Sequence, residues 1–198
     1  MDDTERAILE STYRALCEHG YADLTMQRIA DESELSKAGL HYHYDSKERL
    51  FEAFLEYLYE QYCDRLDGAS GETARERLDT LLTMELADPE ADPGIDFQTA
   101  MLEVRAQAPY DETIQERLRA FDDALVSRLR EVIADGVDAG EFDDRVDPEL
   151  AADLLTTAIS GAHTRQVAAG HPIDRSYEAA RTYVDAYLVD ESASEVTA

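Results

Sequence analysis

Apolar side chains recur every three or four positions along nearly the whole chain, the spacing of an amphipathic helix, and no run alternates as a strand would. Over residues 4–19, Ile8, Thr12, Leu16 and His19 share a face with Ala15 alongside, and Gly20 follows where a C-cap belongs. Thr25 can N-cap a short helix to about Glu32, with Ile29 and Ala30 inward. Ser36 can cap the next helix, and Ser46 a longer one over about 46–66 in which Leu50, Phe51, Phe54, Leu55 and Leu58 repeat. Gly68, Ser70 and Gly71 interrupt the pattern before a helix expected over 72–87. Asp88–Gly94 is the clearest loop, rich in Asp and Pro. Helices are then expected over 95–108, 110–135, 148–169 and 174–189, the third of these with Pro148 at its start and Gly170 at its end. The stretch 110–135 repeats Ile114, Leu118, Phe121, Leu125, Leu129 and Ile133, and the small, polar tail 191–198 should fray. The expectation is an all-α protein of nine helices with no sheet.

Composition narrows the setting. A chain of 198 residues can hold one medium domain or a small head on a larger body. Hydrophobic residues make up 44%, enough to fold, and no apolar run has the length of a membrane span. The N-terminus opens with Asp2, Asp3 and Glu5, the wrong sign for a secretory signal. Cys17 and Cys63 lie far apart without metal-ligand spacing and are expected as buried thiols in a reducing compartment, so the protein should be cytoplasmic. The formal charge is −27, and its 45 carboxylates are dispersed along the chain. That distribution, with lysine almost absent, fits a surface kept hydrated in molar salt, where the Debye length falls to about 3 Å. An extreme halophile is the source this pattern suggests, with an acidic mesophile protein as the alternative.

Only two of the 18 basic residues are lysines, and both bracket one short segment running from Lys37 to Lys47. Scarce cations beside a polar, aromatic-rich helix point to contact with a phosphate backbone. The first three helices, the second and third joined by a tight turn, have the layout of a helix-turn-helix, whose last helix enters the major groove. Leu24, Ile29, Leu35 and Leu40 supply its small core, and Tyr44 is expected as a core ring. Ser36, Lys37, Ala38, Gly39, His41 and Tyr42 are left to face outward. Ala38 and Gly39 allow close approach to the groove; Ser36, Lys37, His41, Tyr42 and Lys47 can reach phosphates or base edges. Residues 1–50 carry 6 basic and 11 acidic side chains, a net −5, so any basic patch is local.

Residues 8–58 resemble the N-terminal domain of TetR-type transcriptional regulators. The resemblance rests on LTMQRIADESELSKAGLHYHYDSKERLFEAFLEYL, from Leu24 onward. Where such proteins commonly read Ser-Lys-Gly-Thr-Leu-Tyr-Tyr-His-Phe, this chain has Ser36-Lys37-Ala38-Gly39-Leu40-His41-Tyr42-His43-Tyr44, departing at Ala38, Gly39, His41 and Tyr44. The resemblance aligns Thr25 with the cap of the second helix and Lys47 with a phosphate-binding lysine opening the fourth. The candidate DNA-contact set is therefore Thr25, Gln27, Arg28, Ser36, Lys37, Ala38, Gly39, His41, Tyr42, His43 and Lys47. It implies a head at 1–47, a ligand-binding and dimerising body at 48–190, and a homodimer pairing the last two helices of each copy. Leu150, Leu154, Leu155, Ala158, Ile159, Ala162 and Gln166, with Gly161, and then Tyr177, Ala180, Tyr183, Val184, Tyr187 and Leu188, would supply that bundle. The resemblance further implies a small-molecule effector pocket, with Phe97, Met101, Arg105, Tyr110, Phe121 and His163 as candidate contacts. The function it implies is a repressor bound to a palindromic operator and released by its ligand. The alternatives are a ligand-binding or interaction protein that keeps the head for packing alone, or an activator, since sequence does not fix the sign of regulation.

Catalysis is not expected. The chain has no glycine-rich phosphate loop, no Gly-x-Ser-x-Gly elbow and no His-Glu-x-x-His pair, and it calls for no cofactor. His41 and His43 stand two apart on a helix and point to different faces, so they do not suit a shared metal.

Overall fold

A computed structural model of the protein describes residues 1–87 and 94–189. These residues form nine α-helices: α1 (Asp3–His19), α2 (Met26–Asp31), α3 (Lys37–His43), α4 (Lys47–Asp67), α5 (Ala74–Leu86), α6 (Ile95–Gln107), α7 (Glu112–Asp138), α8 (Pro148–Ala169) and α9 (Asp174–Tyr187), with a 3-10 turn at Ala108–Tyr110. The fold is all-α, as the periodicity indicates; the one β-type pairing among the described residues is an isolated bridge between Phe142 and Val189. Most of the expected 88–94 loop and all of the expected tail lie outside the described residues.

Local chemistry sets the helix ends. Asp2 and Glu5 form a reciprocal capping box at the start of α1, with bonds of 2.8 and 3.1 Å. Thr25 accepts from the Arg28 N–H and Ser36 from the Gly39 N–H, both at 3.2 Å, so these hydroxyls begin α2 and α3. Thr73 caps α5 two residues later than the sequence spacing suggested. Gly170 ends α8 in the left-handed conformation.

The described residues divide into two compact units. The first comprises residues 1–62 and 94–121. Its core joins Ile8, Leu16, Leu24, Ile29 and Leu40 from the first three helices to Leu50, Phe51, Phe54 and Leu55 of α4, and also takes in Ala100, Val104 and Ile114. Leu35 and Tyr44 pack against this core half-buried. Ser11 and Thr12 are buried too, and each hydroxyl is satisfied by a backbone carbonyl one turn back.

The second unit comprises residues 63–87 and 122–189. Leu78, Leu81 and Leu82 of α5, Leu129, Val132 and Ile133 of α7, and Leu155 and Ile159 of α8 fill it, and Phe142 plugs its loop side. Arg65 pairs with Glu85 at 3.1 Å, and the Glu85 side chain is only 7% exposed. Cys17 and Cys63 form no disulfide and are half-buried, more accessible than expected because each lies on a helix flank. Among the described residues no helix is long and apolar enough to cross a membrane.

Candidate nucleic-acid interface

Of the seven residues of α3, Leu40 alone is buried. Burial of that one leucine against the α1–α2 core anchors the helix and turns the rest toward solvent. Ser36, Lys37, Ala38, His41 and Tyr42 are exposed, and Gly39 and His43 are half-buried. Tyr42 stands out most, 88% exposed, with its ring edge-on to His43 at 5.4 Å between centroids. A tyrosine this exposed forgoes the apolar contact that burying its ring would gain.

The turn before α3 is held from behind. Arg14 on α1 donates to the Glu32 carbonyl at 2.8 Å, and the Leu35 N–H donates to the Ser33 hydroxyl at 3.0 Å. Thr25, which caps α2, and Gln27 on it are exposed, and Arg28 is half-buried. Gln27 donates to Asp31 at 2.8 Å, and Arg28 pairs with Asp23 at 3.4 Å. Two of the candidate contacts thus already answer carboxylates of the protein itself.

At the head of α4, Ser46 accepts from the Arg49 N–H at 3.3 Å. The half-buried Lys47 extends its ammonium over the Tyr21 ring, 4.8 Å from the centroid, and that ring packs on Phe51 at 4.7 Å. Burial, then the Asp111 and Glu48 carboxylates, pushes the Tyr21 phenol up, so the ring stays neutral beneath the cation. Beside Lys47, hydrogen bonds from its own backbone and from Ser46 hold the Glu48 carboxyl below the usual range. A carboxylate therefore sits next to Lys47. Sequence reasoning missed Tyr21; its position just after the Gly20 cap carries no signal that a lysine 26 residues on will lie over it.

The expected effector contacts separate. Phe97 stacks on Tyr13 of α1 at 5.1 Å, and both Phe97 and Met101 pack against the core of the first unit. Arg105 is exposed, and Tyr110 is 87% exposed. Phe121 lies 5.5 Å from the rings of both Tyr59 and Tyr62, an aromatic trio within the first unit. His163 belongs to the second unit, where its Nε2 is 2.8 Å from the Glu85 carbonyl. An open cavity of about 580 Å³ in the second unit includes none of the six in its lining. Two ion pairs stand in its wall beside Leu82 and Val184, Arg75 with Asp185 at 2.6 Å and Arg181 with Asp79 at 2.9 Å.

Residues 8–54 match the family described as bacterial regulatory proteins, tetR family, and residues 74–189 match the BetI-type transcriptional repressor C-terminal family. A TetR transcription regulator from Haloarcula marismortui, known by crystal structure, is 42% identical with a TM-score of 0.88 over 95% of this chain and 100% of its own. The HTH-type transcriptional repressor AcnR of Corynebacterium glutamicum is 25% identical across 82% of this chain and 81% of its own. A transcriptional regulator from Saccharomonospora viridis, solved in complex with choline, shares the fold at a TM-score of 0.85 and 24% identity, over 96% and 100% of the two chains. With one family match across the helix-turn-helix and a second across most of the remaining chain, this protein belongs to the TetR family of transcriptional regulators.

Proposed function

We propose that the protein is a homodimeric, ligand-responsive repressor that binds a palindromic operator through α3. The observation that carries this reading is α3 itself: one buried leucine anchors it, while Lys37, Tyr42 and their neighbours are offered to solvent. Thr25, Gln27, Arg28, Ser36, Ala38, Gly39, His41, His43 and Lys47 complete the proposed contact set. Ala38 and Gly39 keep the centre of the helix slim enough for the groove. The name of the AcnR relative and the description of the C-terminal family both support repression over activation.

Dimerisation is supported by what the single chain leaves uncovered. Leu150 and Leu154 on α8 are 67% and 49% exposed, Ala158 follows on the same stripe, and Gly161 has open space where a side chain would be. On α9, Tyr187 is 71% exposed against Tyr183. A second copy covering these stripes would place two heads on the half-sites of a twofold operator.

For the effector, the candidate contacts in the first unit are Phe97, Met101, Arg105, Tyr110 and Phe121, and the candidate in the second unit is His163. Aromatic faces such as Phe121 suit a flat or cationic guest, and the choline held by the Saccharomonospora regulator is one such molecule. Arg105 would suit an anionic group.

The test is fluorescence anisotropy of the purified protein with its own upstream DNA, in roughly 2 M KCl to screen its carboxylates. Specific binding that a scrambled duplex cannot match is expected. The double variant Lys37→Ala, Tyr42→Ala should lose about tenfold or more in affinity while its dimer stays intact. Unchanged affinity in that variant would move the DNA contact off α3, and a wild-type protein that binds no DNA would point to a helical ligand-binding protein whose head serves only for packing.

A further inference from the structure

Glu103 lies on α6, yet its half-buried carboxylate reaches the turn between α1 and α2. Its Oε2 accepts from the backbone N–H of Tyr21 at 2.8 Å and of Ala22 at 3.1 Å. Two charge-assisted bonds to one carboxylate oxygen make a strong tether. The turn is shaped to admit it. Gly20 has φ +72°, a conformation that favours glycine, and a Cβ there would stand 2.8 and 2.9 Å from the two Glu103 oxygens, so a side chain would push the carboxylate off the turn. The rest of α6 is fixed alongside, with Ala100 and Val104 in the core and Phe97 stacked on Tyr13. Tyr21, whose backbone is held, supplies the ring beneath the Lys47 ammonium and packs that ring on Phe51 of α4.

We infer that Glu103 is a positioning residue for DNA binding: by holding the Tyr21–Ala22 backbone it fixes the Tyr21 ring, and through that ring the place of the Lys47 ammonium. Lysine needs such help. Its charge rides on a flexible four-carbon stem, and an ammonium that must be ordered at the moment of binding loses rotamer entropy then. A ring already seated beneath it removes part of that loss. The inference rests on the reading of Lys47 as a phosphate contact, and the experiment separates the two.

Operator affinity is measured for the full-length protein and for Glu103→Ala, Lys47→Ala, their double variant and Lys37→Ala. Amide hydrogen exchange at Tyr21 and Ala22 is followed without DNA. Glu103→Ala should weaken operator binding about fivefold or more, and Lys47→Ala should then weaken it by a clearly smaller factor than in the wild-type background, the mark of coupled residues. The Tyr21 and Ala22 amides should exchange faster. Glu103→Gln keeps an acceptor in place and should recover much of the affinity; if Glu103→Ala fails to fold, the cycle is run with Glu103→Met, which keeps the stem and removes the acceptor. Independent effects of the Glu103 and Lys47 substitutions, or wild-type affinity in Glu103→Ala despite faster exchange, overturn the inference while loss of binding in Lys37→Ala leaves the repressor reading standing. A wild-type protein that binds no DNA sinks both.

Discussion

Gly136, in the last turns of α7, shows how one residue decides local packing. A Cβ placed there would lie 2.3 and 2.4 Å from two ring carbons of Phe142 and 3.1 Å from the Ala74 Cβ. Phe142 is 1% exposed, and its own N–H donates to the Gly136 carbonyl at 3.1 Å. The aromatic ring therefore lies where a side chain would otherwise project. Glycine inside a helix is unfavourable by about 0.5–1 kcal/mol relative to alanine, so Gly136→Ala would stabilise an isolated helix. Here the opposite is expected: forcing the buried ring aside should destabilise the protein by about 1–3 kcal/mol. Urea denaturation reads this as a lower midpoint at unchanged slope. A variant as stable as the wild type would mean that the Phe142 loop yields without loss, and that the contact does not hold the loop in place.

At the scale of helices, α8 is the instructive case because it carries two apolar stripes. Ala151, Ala152, Leu155, Ile159 and Ala162 turn into the second unit, while Leu150, Leu154 and Ala158 turn out. Sequence periodicity merged these stripes, since a helix apolar nearly all round gives no direction to its burial. What was legible followed local rules: the Thr25 and Ser36 caps, the Gly20 and Gly170 ends, and the outward set on α3 around Leu40. What was illegible depended on distance along the chain. Glu103 and Tyr21 meet across 82 residues, and no pattern near either announces it. Nor can spacing separate a pocket wall from a core, and Phe97 and Met101 pack the core of the first unit. The outward stripe of α8 carries its own prediction. Leu154→Asp would bury a charge in the proposed dimer contact and should weaken dimerisation at least about thirtyfold, the scale of an interface hot spot. Light scattering at micromolar concentration should then find monomers, with little change in helical content by circular dichroism. A variant that remains dimeric would move the interface away from this stripe.

For the molecule as a whole, the governing quantity is its charge of −27. An ordinary DNA-binding protein releases counterions from DNA, and its affinity falls with salt by a slope of roughly −0.9 for each phosphate neutralised. Few cations stand ready here to do that. Arg14, Arg28 and Arg49 in the head are paired with Glu32, Asp23 and Glu52, and Glu48 stays ionised beside Lys47. Bringing these carboxylates to a phosphate backbone raises the local negative charge, which solution cations must then compensate. Uptake of cations on binding makes affinity rise with salt, and it opposes the release that the proposed Lys37 and Lys47 contacts would give. The two contributions should leave a slope near zero or positive, with binding sustained in molar KCl by groove fit and hydrogen bonds. Operator titrations from roughly 0.2 to 3 M KCl measure the slope directly. Replacing Lys37 with alanine should shift the slope toward positive values by about one, if that lysine meets a phosphate. A steep negative slope in the wild type, about −4 or beyond, would show that release dominates and that the acidic surface stands clear of the DNA.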